Sequence, residues 1–307
     1  MADHSVFASR MRRLLLDPLV AVVIYPIYYT FAAMPVGLAS AIGARLGRLI
    51  GVLAPKLTRR ALRNVERALP ELPRERHRAI VRGMWDNLGR SLAEHPHIDQ
   101  LWDGRIEMVG AEYLLALAAK EKHPCLLVSG HIANWELFPS TGAHHGLKLT
   151  VVYRKPNNPL IDYLMTGRRR VGGGYFVPKG QKSARAMIKT LVNGGAIGML
   201  ADQKFNDGIP VPFFGIPAMT APSLAQLALT YRCPVVMGLP ERLDGAHFRI
   251  TVMPPELVPD TGNREADVLA YMTRINALLE SWIRERPEQW LWLHNRWPDE
   301  PEPGPCV

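Results

Sequence analysis

Three cysteines in 307 residues, Cys125, Cys233 and Cys306, are too few and too scattered to staple a fold. None stands at metal-ligand spacing, so the sequence predicts a reducing compartment, no structural disulfides and no zinc centre. No G-x-S-x-G element occurs, which removes the nucleophile signal of an α/β serine hydrolase. Gly172-Gly173-Gly174 is not a Walker loop and lacks the G-x-G-x-x-G context of a dinucleotide site. Internal repeats and low-complexity tracts are also missing. Acidic residues are scarce relative to basic ones, 28 against 37, for a net charge of +9. That imbalance suits an anionic partner. The basic stretches lack aromatic interleaving or a reader motif, so a lipid surface or acidic carrier protein is expected and no nucleic acid.

Charge itself is missing between residues 18 and 44, a stretch that contains Val20-Ala21-Val22-Val23-Ile24. It is long enough to span a hydrocarbon core of roughly 30 Å. It is too long, and too interrupted by tyrosine and proline, for a cleaved signal peptide. Tyr25, Tyr28 and Tyr29 favour a membrane interface. Arg12/Arg13 and Arg45/Arg48 flank both ends and give no orientation. The expectation is one span or a broken helix lying partly in a bilayer; the alternative is a buried hairpin of two core helices. Gly43, Gly47 and Gly51 form a helical strip that permits close packing, in lipid or in protein.

The sequence divides into a membrane-associated helical segment, 1–53, and a globular domain, 54–307. Residues 54–100 form a helical lead-in, with amphipathic helices at 58–68 and 74–94. From 101 to 307 the pattern becomes α/β. Strands are expected at 105–109, 125–129, 147–153, 196–201, 234–239 and 248–253. Helices are expected at 111–120, 135–144, 159–169, 183–192 and 221–231, with a last one at 265–284. This alternation predicts a mixed, mainly parallel sheet flanked by helices.

The richest chemistry lies in Ser129-Gly130-His131-Ile132-Ala133-Asn134-Trp135-Glu136, directly after the apolar run 125–128. A strand that ends in glycine and delivers histidine to a loop places an imidazole where it reaches substrate as a general base. Five positions on a helix are about 140° apart. His131 and Glu136 therefore converge only if His131 is in the loop and Glu136 is in the first turn of the next helix, with Asn134 as its cap. Arg154 ends another strand, on the edge where α/β sites gather. Arg168 belongs to an arginine run before the glycines, suited to gripping phosphate or carboxylate. Asp202 closes the strand before it and is placed to orient Arg154 or a substrate group, or to cap a turn. Residues 211–220 read as an apolar loop that could wall an acyl chain or close the core. In Trp290-Leu291-Trp292-Leu293-His294-Asn295-Arg296-Trp297 the aromatics read as packing, with His294 and Arg296 supporting the site.

In order along the chain, these segments resemble the lipid A lauroyl/myristoyl acyltransferase family, the late acyltransferases of lipopolysaccharide assembly. The resemblance rests on Arg59-Arg60…Asn64-Val65…Ala68-Leu69-Pro70, Gly130-His131…Asn134-Trp135-Glu136 and Tyr153-Arg154…Asn158-Pro159. It continues through Ala201-Asp202-Gln203, Phe213-Phe214-Gly215…Thr220 and Pro287-Glu288-Gln289…Trp292-Leu293-His294…Arg296. It implies a glycerolipid-acyltransferase-like fold and acyl transfer from acyl carrier protein to the hydroxyl of a 3-hydroxyacyl chain on a lipid A precursor, without a bound cofactor. His131 would be the base and Glu136 its orienting acid. Arg154, Arg168, Asp202 and Asn134 are the substrate-binding candidates. The implied location is the cytoplasmic face of the inner membrane. Other acceptors, such as phosphatidylinositol mannosides, stay open, as do a thioesterase and a non-catalytic lipid-binding protein.

Overall fold

The computed structural model describes residues 16–153, 155–171 and 175–297, with the backbone alone at 167–171, 181 and 182. The charge-free stretch forms two helices, α1 (Asp17–Ala32) and α2 (Val36–Leu53). They part before Pro35, whose extended backbone precedes the first turn of α2. Helix α2 is 18 residues long and apolar enough to cross a membrane. Its small-residue strip has a partner within the protein. A side chain at Gly47 would put a Cβ 2.1 Å from the carbonyl oxygen of Trp85, and one at Gly43 would lie 2.5 Å from that of Gly89. The backbone of α2 thus rests on the backbone of α4 (Arg74–Glu94), while Leu46, Leu49, Ile50, Val52 and Leu53 face outward. Between them α3 (Pro55–Ala68) buries Ala61, Asn64, Val65 and Ala68, and keeps its arginines outside.

After the short α5 (Ile98–Leu101) the α/β region begins, as the alternation predicts. Its strands are β1 (Ile106–Val109), β2 (Cys125–Ser129), β3 (Leu149–Tyr153), β4 (Tyr175–Pro178), β5 (Ala196–Leu200), β8 (Val235–Asp244) and β9 (His247–Val252). They form one sheet in the order β1-β9-β8-β2-β5-β3-β4. Every neighbouring pair is parallel except the β8–β9 hairpin. Helices α6 (Ala111–Ala118), α7 (Leu137–His144), α8 (Pro159–Val171), α9 (Gln181–Val192), α10 (Ser223–Tyr231) and α11 (Arg264–Glu285) complete the domain.

Strand β2 is buried on both faces, and its side chains alternate between two cores. Leu126 and Val128 pack in the core that holds Leu224 and Ala228 of α10 and Leu279 of α11. Cys125 and Leu127 pack in the other, with Leu114 of α6 and Leu137 and Phe138 of α7. From β2 the chain goes through α7 to β3, on one side; from β5 it returns across β2 to β8, on the other, through α10. The C-terminal ends of the adjacent strands β2 and β5 therefore flank a switch in winding direction, where an open α/β sheet leaves a crevice.

Two elements depart from the sequence expectation. Strand β4 is an additional edge strand. Residues 211–220 are a hairpin instead of a loop: β6 (Ile209–Phe213) pairs antiparallel with β7 (Ile216–Thr220). Phe214 (φ 52°) and Gly215 (φ 71°) supply the two left-handed residues that a tight two-residue turn needs.

Candidate active site

Ser129 and Leu200 are register partners at the ends of β2 and β5. Two residues beyond each, His131 and Asp202 meet. His131 Nδ1 lies 2.8 Å from Asp202 Oδ1, and the His131 backbone N–H donates to Oδ2, also at 2.8 Å. The Trp290 indole N–H donates to the same Oδ2 at 2.7 Å. Asp202 is 2% exposed. Burial alone would raise its pKa. The facing His131 charge, the two His131 donors and the Trp290 N–H outweigh that and hold the carboxyl well below the usual carboxylate range. An ionised Asp202 on Nδ1 makes that nitrogen the donor and leaves the Nε2 lone pair as the base. Gln203 Nε2 sits 3.0 Å from His131 Nε2, covering that lone pair with an amide donor.

Asp202, offered by the sequence as a substrate-binding candidate, thus makes the hydrogen bond to His131 that the sequence reading expected of Glu136. Glu136 is the residue immediately before α7 and lines the same cavity as His131. Asn134 does not cap α7. It is fully buried, and its amide donates to Glu94 Oε2 at 3.0 Å, which ties the loop to α4. Arg154 lies outside the described residues. Arg168 lies on α8, its side chain outside them.

The loop that carries His131 is held from behind. Ala133 adopts φ 49°, and its carbonyl accepts from Asn87 Nδ2 and Ser91 Oγ at 3.0 and 3.1 Å. Its N–H donates to Gln289 O. Beneath it, the buried Arg242 guanidinium grips both oxygens of the fully buried Glu94, which also accepts from Ser40. The C-terminal segment closes the back. Leu291 N–H donates to His131 O, and Asn64 of α3 donates to the carbonyls of Trp292 and His294. Arg296 is fully buried, donating to Met219 O and Thr220 Oγ1; burial pulls its pKa down to about 10, partly offset by Asp202. Trp290 had read only as packing. Nothing in its local pattern announces a carboxylate partner 88 positions away.

In front of His131 lies a cavity of about 680 Å³. Leu127, Phe138, Val151, Phe176, Met187 and Met199 give it apolar walls. Of the two readings of residues 211–220, Phe213 follows core closure: it is buried against Trp297, and neither it nor Phe214 or Met219 lines the cavity. The Cys125 thiol, pushed up to about 12 by burial and by Cys233, is no nucleophile at neutral pH. Among the described residues no three acidic, histidine or cysteine side chains converge as a metal site would require.

His131, hydrogen-bonded to the buried Asp202, thus stands at the sheet edge beside a cavity with apolar walls. The profile of the family described as "Bacterial lipid A biosynthesis acyltransferase" matches residues 10–299. The lipid A biosynthesis lauroyltransferase of Escherichia coli K12 is 31% identical over 278 residues, which cover 85% of this chain and 87% of that protein. A lipid A biosynthesis acyltransferase of Haemophilus influenzae is 28% identical over 91% of both chains. The E. coli lipid A biosynthesis myristoyltransferase is 27% identical over 85% of this chain and 82% of its own length. The chain belongs to the bacterial lipid A biosynthesis acyltransferase family, and it is an acyltransferase.

Proposed function

We propose that this acyltransferase moves a fatty acyl group from acyl carrier protein to a hydroxyl of a lipid A precursor, at the cytoplasmic face of the inner membrane. The observation that carries the reading is the pairing of an Asp202-oriented His131 with an apolar cavity at the same sheet edge. The acceptor hydroxyl displaces Gln203 from Nε2 and gives up its proton there as its oxygen attacks the thioester carbonyl carbon. Collapse of the tetrahedral intermediate breaks the C–S bond, and the imidazolium returns the proton to the leaving thiolate. Asp202 holds Nδ1–H throughout and stabilises the imidazolium. Glu136, on the cavity wall, offers a second carboxylate to orient the acceptor hydroxyl or the charged ring. Arg154 and Arg168 are kept as candidates for holding anionic substrate groups or the oxyanion. No cofactor is needed for this chemistry.

Membrane association is supported by the outer faces of α1 and α2, where Leu19, Val22, Val23, Ile27, Leu49, Val52 and Leu53 are exposed. Helix α1 is tied to the sheet domain by Asn158, which donates to Asp17 O, and by Tyr25, which donates to Leu160 O. A bilayer that covered those faces would hold the cavity near its headgroups.

Purified protein incubated with acyl-carrier-protein thioesters and a Kdo-bearing lipid A precursor should yield a product heavier by one acyl group. No added acyl mass with any donor would sink the reading. Free fatty acid without acceptor modification would favour a thioesterase.

A further inference from the structure

We propose that Lys179 and Lys204 form a phosphate-receiving pair at the cavity that contains His131. The inference deepens the acyl-transfer reading and rests on it. Lys179 directly follows β4, and its backbone N–H donates to Tyr153 O at 2.8 Å, continuing the sheet edge beside β3. Lys204 follows Gln203 beyond β5, and its backbone N–H donates to His294 Nε2 at 2.8 Å. Strand ends that are neighbours of β3 on either side thus deliver two cations to one cavity wall. The Lys179 ammonium lies 4.9 Å from the ring centroid of Phe205, another lining residue, so it reaches from β4 to the loop after β5. Neither lysine makes an ion pair among the described residues. Most lysines near a carboxylate are neutralised by it; these two line a concave space in which Glu136 is the one carboxylate among the lining residues, so the two cations outnumber it where an anion would enter.

Position narrows the ligand. Lys204 is one residue from the amide that covers His131 Nε2, so the anion belongs to a molecule whose reacting atoms are already at His131. Point-charge ammoniums suit a phosphate ester. Two sources supply one: a phosphorylated sugar of the acceptor, or the phosphodiester that joins a pantetheine arm to the donor protein.

The test uses Lys179→Met, Lys204→Met and the double variant of the full chain, with Lys→Arg controls and thermal midpoints to confirm folding. KM for the phosphate-bearing substrate should rise about tenfold per lysine, more than kcat falls, and Lys→Arg should restore most of it. If the defect vanishes with an acceptor stripped of phosphate, the pair reads the acceptor. If it vanishes with an acyl-pantetheine thioester lacking phosphate, the pair reads the donor. Unchanged KM values, or equal losses with every substrate pair, would overturn the proposal while leaving acyl transfer intact. If the wild type transfers nothing, the acyl-transfer reading falls, and pyrophosphate titration followed by isothermal calorimetry still tests the pair. Binding at least tenfold weaker in the double variant is then expected, and equal affinity refutes it.

Discussion

Ser129 of β2 and Leu200 of β5 stand directly opposite each other, and this register places His131 beside Asp202, two residues beyond each. A slip of one residue would turn the carboxylate to the other face of the sheet. At Gly130 a Cβ would lie 3.1 Å from Leu279 Cδ2 and 3.4 Å from Asp202 Cγ, so the turn has little room for a side chain. His131→Ala and Glu136→Ala should abolish turnover with folding retained. Asp202→Asn should lower kcat by about 10³-fold or more, because the amide no longer fixes the Nδ1–H tautomer. Near-wild-type turnover in the first two would remove the proposed base and its neighbour.

Asp202 also makes stability depend on pH. Its folded pKa is depressed, so its contribution is complete above the unfolded value of about 3.9 and is lost as pH falls through the lower folded value. The difference in melting temperature between wild type and Asp202→Asn should be widest above about pH 4 and shrink below it. A gap constant from pH 7 to pH 2.5 would contradict the coupling.

Gln203 Nε2 lies 3.0 Å from His131 Nε2 and covers its lone pair. Removing one such hydrogen bond, worth about 1 kcal/mol, should speed carbethoxylation of His131 roughly fivefold in Gln203→Ala. Peptide mass mapping reads this directly and separates His131 from the other histidines.

The cavity wall should set acyl-chain length. Met187→Ala removes side-chain volume from it and should shift preference toward longer chains. Each added methylene accommodated is worth about 1–3 kcal/mol, or about 10–200-fold in the ratio of kcat/KM values. Competition between donors of two chain lengths measures that ratio, and no shift would place the chain elsewhere.

Glu94 and Arg242 form a buried ion pair beneath the loop that carries His131. Glu94→Gln leaves the guanidinium without a counter-charge and should cost about 3–5 kcal/mol. Chemical denaturation checks this; a loss below about 1 kcal/mol would show the pair to be solvated.

Much of this was legible in the sequence because it is local. The β2 run from Cys125 and the loop glycine put His131 at a strand end, and the 3.6-residue period of 74–94 marks α4 with its observed bounds. Residues 211–220 were misread as a loop because Pro210, Pro212 and Pro217 argue against a strand. The hairpin tolerates them because it stands apart as a two-stranded sheet, with little ladder to interrupt. The glycine strip at 43, 47 and 51 announced close packing but not its partner. That partner, the α4 backbone at Trp85 and Gly89, exists only in the folded chain.

The site divides the same way. By itself the sequence determined a histidine at the end of a buried strand, a mixed sheet and an apolar N-terminus, since hydrophobic period and turn residues act over a few positions. Only the tertiary structure decided that Asp202 hydrogen-bonds the imidazole, that the Trp290 indole donates to the same carboxylate and that Asn134 faces Glu94. These pairings span 40 to 88 positions, and strand register and helix packing fix them, not spacing along the chain.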